Sequence, residues 1–188
     1  MAKNDAMLAA EFPDTLEAAR TGAEWAWERI YRELAPPLLG YLRGRGAPDP
    51  EDLTGEVFLQ VVRDLHGFTG SERDFRAWVF VIAHHRLLDE RRRRDRRPVE
   101  IASEPLEETG TDEADEAALR QAATQRVRCL LGQLTPDQQE VILLRVFGDL
   151  AVDDVARVLG KTPGAVKALQ RRGLEGVLLA LSKEGVTR

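Results

Sequence analysis

The chain has 188 residues, of which 43% are hydrophobic and 6% aromatic, and its formal net charge is −5. This length suits one ordinary domain or two small ones, and the scarcity of aromatic residues and of strand-type alternation predicts an all-α fold. No apolar run is long enough to cross a bilayer and the N-terminus lacks a signal-peptide pattern, so we expect no membrane insertion and a cytoplasmic location. A lone cysteine, Cys129, and three histidines exclude an internal disulfide and give no metal-ligand spacing, so no metal or cofactor is expected.

Charge is unevenly distributed along the chain. Six of the seven residues from Arg91 to Arg97 are arginine, whereas residues 99–118 hold eight acidic residues and no basic one. A negative total usually argues against a nucleic-acid partner, but a locally basic surface attracts phosphates whatever the total. The arginine cluster therefore keeps nucleic acid among the candidate partners.

The N-terminal half predicts a compact helical domain over residues 14–97, preceded by a tail at residues 1–13. Apolar residues recur at helical spacing from Leu16 to Leu34, and Pro36 and Pro37 predict a break before a second short helix. Trp78 lies at helical spacing in an amphipathic stretch that runs into the arginine cluster, which favours a core position over a role in base stacking.

The sequence also predicts two helix starts and a linker between the domains. Asp49 and Thr135 each precede a proline, which is the pattern of a capping residue followed by a first-turn proline. Residues 98–112 are rich in Pro, Gly, Ser, Thr and acidic residues and predict a flexible acidic linker. A second helical domain is then expected over residues 113–188.

The spacing from Val152 to about Arg171 fits a helix-turn-helix unit. Ala156 falls where two helices approach closely, Gly160 where the turn needs a left-handed backbone, and Val166 where the second helix is anchored. The second helix is basic and polar before Glu175, a surface that holds phosphates and reads base edges. A helical hairpin with a solvated basic face is the alternative interpretation of this stretch.

Three segments carry a resemblance to a known family. Residues 49–59 (DPEDLTGEVFL), 74–83 (DFRAWVFVIA) and 134–139 (LTPDQQ) resemble region 2.2, regions 2.3 to 2.4 and the start of region 4.1 of sigma-70 proteins. Their order and separation are similar to those of the extracytoplasmic-function (ECF, group IV) sigma factors, and the resemblance covers the chain from about Leu16 to Leu181. The pair His84-His85, Gly55 and residues 168–170 depart from the commoner family residues, so an unusual promoter preference is expected.

The resemblance implies a non-enzymatic transcription initiation factor whose site residues fall into three groups. The residues expected to bind polymerase are Asp52, Leu53, Glu56, Phe58 and Gln60. Those expected at the minus-10 element, where bases are unstacked, are His66, Phe68, Arg73, Arg76, His84, His85, Arg86, Arg91, Arg92, Arg93 and Arg94. Those expected at the minus-35 element are Lys161, Thr162, Lys167, Gln170, Arg171 and Arg172.

The implied partners are core RNA polymerase, through its largest catalytic subunits and its flap, and promoter DNA. We also hypothesise a separate anti-sigma factor that covers the docking faces. The main alternative is a stand-alone helix-turn-helix regulator with an N-terminal sensing domain. An enzyme is disfavoured because the sequence has no Gly-rich phosphate loop, no paired nucleophile and base, and no metal cluster.

Overall fold

A computed structural model describes residues 11–96, 126–127 and 129–183, and the predicted acidic linker lies outside these ranges. The described part of the chain is helical, in agreement with the predicted fold class. Within these ranges, four helices with described bounds belong to the N-terminal half and three to the C-terminal half, beside a helical stretch at residues 129–132. They are α1 (Phe12–Arg20), α2 (Glu24–Gly44), α3 (Pro50–Asp64), α4 (Glu72–Arg96), α5 (Pro136–Val146), α6 (Val152–Leu159) and α7 (Pro163–Lys183).

Helices α1 to α4 pack around one apolar core to form the first domain. Every helix contributes a stripe of buried residues, for example Ile30 of α2, Val57 of α3 and Phe80 of α4, each completely buried. Asp49 accepts the Asp52 N–H at 2.9 Å and caps α3, as the sequence predicted. The short 3₁₀ turn Leu65–Gly67 leads from α3 toward α4.

The predicted break at Pro36 and Pro37 is wrong, because α2 runs without interruption from Glu24 to Gly44. Each proline removes one backbone donor and costs helix stability. The apolar stripe of α2 continues on both sides of the two prolines, and Leu34 and Leu38 are both buried in the core. Tertiary packing along the whole stripe outweighs the local cost.

The predicted tail also ends earlier than expected, since α1 begins at Phe12. Phe12 is buried and its ring lies 5.5 Å from that of Phe75. Phe68 and Trp78 stack in the same cluster with ring centroids 5.2 Å apart. Trp78 is half-buried and packs against the core, in line with its predicted position, and α1 is fixed to the domain by aromatic packing.

The second domain contains α5, α6 and α7. Thr135 and Gln138 form a reciprocal capping box at the start of α5, which confirms the predicted helix start. Residues 129–132 are helical as well, and Leu131 and Leu134 are buried. None of the helices in the described ranges is long and apolar enough to cross a membrane.

The two domains pack against each other. Helix α2 contacts α5, and α4 contacts α6, so that buried residues of both halves form one continuous apolar cluster. The ring of Phe80 in α4 lies beside Gly148, just after α5. The first helix of the helix-turn-helix unit therefore faces the helix that carries most of the predicted minus-10 residues.

Candidate nucleic-acid interface

Helix α6, the turn and α7 form the predicted helix-turn-helix unit. Gly160 follows α6 with φ 60° and ψ 32°, the left-handed conformation expected from its position. The Lys161 N–H donates to the Ala156 carbonyl at 2.9 Å and closes the turn. Val155 and Val166 are completely buried between the two helices. The unit thus has the interior that the sequence predicted.

The residues predicted for the minus-35 element lie at the start of α7 and along its exposed side. The Thr162 hydroxyl accepts the Ala165 N–H at 3.2 Å, so Thr162 caps the helix. Lys167 is exposed and Gln170 half-buried. The remaining three are engaged in local contacts: Lys161 pairs with Asp137, Arg171 with Glu175, and Arg172 donates to the Ala168 carbonyl.

Residues predicted for the minus-10 element divide into exposed and engaged groups. His66 and His85 are exposed. Arg76 is half-buried and pairs with Glu72 at 3.3 Å, and Arg86 is half-buried between α3 and α4.

The ring of Phe68 is not available for stacking on bases in this conformation. Phe68 is 9% exposed and packs between Phe75 and Trp78. Its carbonyl accepts a hydrogen bond from Arg20 Nη2 at 2.5 Å, which ties the loop to α1. The sequence placed this aromatic residue in a polar loop and gave no indication that its ring would pack against α4.

The arginine cluster lies at the C-terminal end of α4. Arg92, Arg93 and Arg94 are exposed and form local ion pairs with Asp89 or Glu90. Such surface pairs are weak and exchange readily for phosphate contacts. Arg91 differs, because it is half-buried and donates to the Arg45 carbonyl at the end of α2, where a cation is favourable.

The predicted polymerase-docking residues lie on α3. Asp52 is exposed and Glu56 and Gln60 are half-buried, so the acidic and polar stripe exists as a surface. Leu53 and Phe58 are 5% and 8% exposed and belong to the core. The large apolar side chains that α3 does expose are Leu59 and Val62, neither of which was a predicted docking residue.

A buried polar cluster between the domains was not predicted. Glu140 of α5 accepts from Tyr41 at 3.2 Å, lies 2.9 Å from His84 Nδ1 and pairs with Arg45 Nε at 3.5 Å. Burial alone would raise the pKa of Glu140, but the hydrogen bond from His84 and the charge of Arg45 lower it below the ordinary glutamate value. Burial, followed by the charge of Glu140, raises the pKa of Tyr41.

Asp154 of α6 is a second buried carboxylate at the domain boundary. Its side chain is completely buried and accepts a hydrogen bond from Arg73 Nε of α4 at 2.6 Å. Arg157 also pairs with Asp154 and reaches Asp74 at 3.4 Å. Burial would raise the pKa of Asp154, but the hydrogen bonds from the two arginines lower it. Asp154 occupies an interior position of the helix-turn-helix, and its partner Arg73 is distant in sequence whereas Arg157 lies one turn away in α6.

The comparisons with known proteins cover both domains. The family model for sigma-70 region 2 matches residues 30–97, and that for sigma-70 region 4 matches residues 124–175. The chain is 32% identical over 168 residues to the ECF RNA polymerase sigma factor BldN of Streptomyces coelicolor, covering 88% of this chain and 64% of BldN. It is 34% identical over 128 residues to the ECF RNA polymerase sigma factor ShbA of Streptomyces griseus, covering 66% of this chain and 67% of ShbA.

Solved structures share the fold. CnrH in complex with the cytosolic domain of CnrY has a TM-score of 0.65 at 23% identity and covers 90% of this chain and 96% of its own. The sigma factor RpoE of Bartonella quintana, in complex with the anti-sigma factor NepR, has a TM-score of 0.61 at 21% identity over 86% of this chain and 98% of its own. From the family-model matches and the curated relatives, the chain belongs to the extracytoplasmic-function sigma factors of the sigma-70 family.

Proposed function

We propose that this protein binds core RNA polymerase, directs it to specific promoters and aids promoter melting, without catalysing a reaction itself. The observation that carries the proposal is the succession of matches to sigma-70 regions 2 and 4 along one chain. A stand-alone regulator needs only the second of these. The first domain, with its acidic α3 surface, has a role in a sigma factor and none in simple operator binding.

The α3 surface supports docking to a basic partner. Asp52 and Glu56 lie one turn apart beside the exposed side chain of Leu59. Charges at the rim of an interface accelerate association and set its orientation, and an apolar side chain next to them supplies contact area. This pattern fits the largest catalytic subunit of the polymerase, and α7 is the candidate contact for the flap.

We assign the minus-35 element to α7 and the minus-10 element to α4. The exposed side of α7 carries Lys167 and Gln170 and suits the major groove of the minus-35 element. Helix α4 carries exposed His85 and the arginine cluster, which suit the minus-10 strand and the adjoining backbone. We propose as the regulatory partner an anti-sigma factor that competes for the α3 and α7 surfaces; RpoE of Bartonella quintana, which shares the fold, is in complex with the anti-sigma factor NepR.

Core association is tested with a fluorophore on Cys129, which is exposed and lies outside the proposed contact surfaces. Titration with core polymerase is expected to give a saturable rise in anisotropy. Asp52→Arg should weaken binding at least tenfold, because it reverses a charge in the first turn of α3. The matched control is Asp14→Arg, which reverses an exposed first-turn acid of α1. If neither the wild type nor the variants bind core polymerase, and the protein instead binds an operator tightly as a dimer, the stand-alone regulator is established.

A further inference from the structure

The segment of residues 66–71, between α3 and α4, is fixed to α4 by aromatic packing and by a helix cap. The ring of Phe68 stacks on Trp78 of α4, with ring centroids 5.2 Å apart. Ser71 and Asp74 form a reciprocal cap at the start of α4: the Ser71 hydroxyl accepts the Asp74 N–H at 3.3 Å, and the Asp74 carboxylate accepts the Ser71 N–H at 3.1 Å. These contacts place both the middle and the end of the segment against α4.

Arg20 of α1 holds the backbone of the same segment. Its Nη2 donates to the Phe68 carbonyl at 2.5 Å, a contact that spans 48 residues of sequence. Its Nη1 pairs with Glu17, one turn earlier in α1, at 3.1 Å. Hydrogen bonds from a charged donor are roughly twice as strong as neutral ones, and the Arg20 side chain is only 25% exposed, which limits screening by water. The Phe68 carbonyl is therefore held in a defined position relative to α1.

Helix α1 is a firm support for this contact, because both of its ends are attached to the rest of the domain. At its start the ring of Phe12 lies against that of Phe75 in α4. At its end the indole N–H of Trp27 in α2 donates to the Ala19 carbonyl at 3.1 Å. Arg20 follows Ala19 directly, so its side chain starts from a backbone that is fixed to two other helices. The position of the Phe68 carbonyl thus depends on α1 as well as on α4.

The segment that Arg20 holds carries polar groups at the surface. His66, Thr69 and Ser71 are exposed, and His66 is among the residues predicted at the minus-10 element. Residues 69–72 also line an open cleft whose other wall is formed by α1. A segment that is ordered before its ligand arrives does not lose backbone entropy on binding, which strengthens the interaction. An arginine that orders this segment therefore affects every contact that the segment makes.

We propose that Arg20 is a positioning residue for promoter melting: through the Phe68 carbonyl it keeps the 66–71 segment in the conformation that receives the bases leaving the minus-10 duplex. The proposal rests on the proposed function, because the conformation of this segment matters to DNA only if the first domain binds the minus-10 element. Arg20 itself touches no base in this role. Its loss leaves the α3 surface intact, while the bases meet a less ordered segment.

The test removes the donor and keeps an unbranched side chain. Arg20→Met retains an apolar stem and a good helix former, but it cannot donate to the Phe68 carbonyl. We expect faster amide exchange at residues 66–71 in the free protein, with exchange in the middle of α3 and of α4 unchanged. On a fragment from which wild-type holoenzyme transcribes, permanganate oxidation of unpaired thymines measures open complexes. Their equilibrium constant of formation should fall on the order of tenfold, because the segment must then be ordered during melting.

Two further variants separate positioning from other roles. Glu17→Ala is the control, since it removes the ion pair of Arg20 and leaves the bond to the Phe68 carbonyl, so that both readouts should match the wild type. Arg20→Lys keeps a charged donor without the planar guanidinium and should recover part of both losses. Core polymerase binding, followed with the fluorophore on Cys129, should be the same for all variants, because the substitutions lie on α1 and the proposed docking residues on α3.

Each outcome supports or overturns the positioning role. Faster exchange at residues 66–71, fewer open complexes and unchanged core binding in Arg20→Met together support it. Unchanged exchange overturns it, as does a normal yield of open complexes despite faster exchange. A direct contact between Arg20 and a phosphate would instead lower the slope of log affinity against log salt by about 1 in the binding of holoenzyme to the fragment, and that result also overturns the positioning role.

The remaining outcomes concern folding and the proposed function. If Arg20→Met loses helix content by circular dichroism, Arg20→Lys decides instead, and a lysine variant that shows neither loss overturns the positioning role. Wild-type holoenzyme that starts no transcript on any fragment refutes the proposed function and the positioning role with it. Equal open-complex formation by wild type and Arg20→Met refutes the positioning role alone, so the two failures are distinguishable.

Discussion

Replacement of Glu140 by alanine is expected to destabilise the protein more than any surface substitution. Glu140 is 7% exposed and contacts three side chains of the first domain. In Glu140→Ala the buried guanidinium of Arg45 loses its carboxylate partner and the Tyr41 hydroxyl loses its acceptor. Removing one partner of a buried ion pair costs about 3–5 kcal/mol.

The expected loss lies at the lower end of this range. Arg45 keeps its hydrogen bonds to the Pro136 carbonyl and to Gln139 Oε1, both at 3.2 Å, so its charge is not left without acceptors. We therefore expect a loss of about 3 kcal/mol for Glu140→Ala. Glu140→Gln keeps an acceptor oxygen and loses only the charge, for which about 1.5 kcal/mol is expected.

Urea denaturation at pH 7 followed by circular dichroism measures both values, with Glu175→Ala as a control at an exposed site. The sign of the pH effect provides an independent check. Because the pKa of Glu140 is lowered in the folded protein, its contribution is fully present above the ordinary glutamate pKa of about 4.3 and is lost as the pH falls further. The gap between wild type and Glu140→Gln should thus close in acid. A Glu140→Ala loss below about 1 kcal/mol would refute a buried interdomain cluster.

Three further predictions concern the second domain. Gly160→Ala should lower the free energy of unfolding by about 1–2 kcal/mol, because alanine resists the left-handed conformation although a Cβ there has open space. The control is Gly164→Ala, where a Cβ also has open space but φ is not positive, and it should not lower the free energy of unfolding in the same urea assay. Thr135→Ala removes half of the capping box and should lower the free energy of unfolding by about 1 kcal/mol, and an unchanged value would mean that the box does not form in solution. Lys167→Ala should weaken minus-35 binding by holoenzyme and reduce the slope of log affinity against log salt by about 1, whereas an unchanged slope would place this lysine away from phosphates.

Features fixed by local sequence were predictable. The caps at Asp49 and Thr135 need only a side-chain acceptor three residues before its donor, and the left-handed turn at Gly160 needs only the glycine. Helical periodicity likewise identified Trp78 as a core residue. In each case the partners lie within one or two helical turns, so the physical cause is present in a short window of sequence.

Features that depend on distant partners were not predictable. Helix α2 continues through Pro36 because a stripe of core contacts on both sides outweighs the lost backbone bonds. Phe68 is buried because the loop folds its ring onto Phe75 and Trp78 of α4, and Arg20 of α1, far away in sequence, holds the loop through the Phe68 carbonyl. The predicted role of His84 at DNA takes no account of Glu140, which lies in another domain and is close only after the two domains pack. The individual DNA and polymerase contacts stay predictions.

As a sigma factor, this protein directs core polymerase to specific transcription start sites. Its most direct test is in vitro transcription of genomic fragments by core polymerase with and without the protein, followed by sequencing of the RNA 5′ ends. We predict a discrete set of new start sites, appearing only with the protein, that share sequence at two upstream positions corresponding to the minus-10 and minus-35 elements. An identical distribution of 5′ ends in both reactions, under conditions in which the protein is folded, would contradict the account.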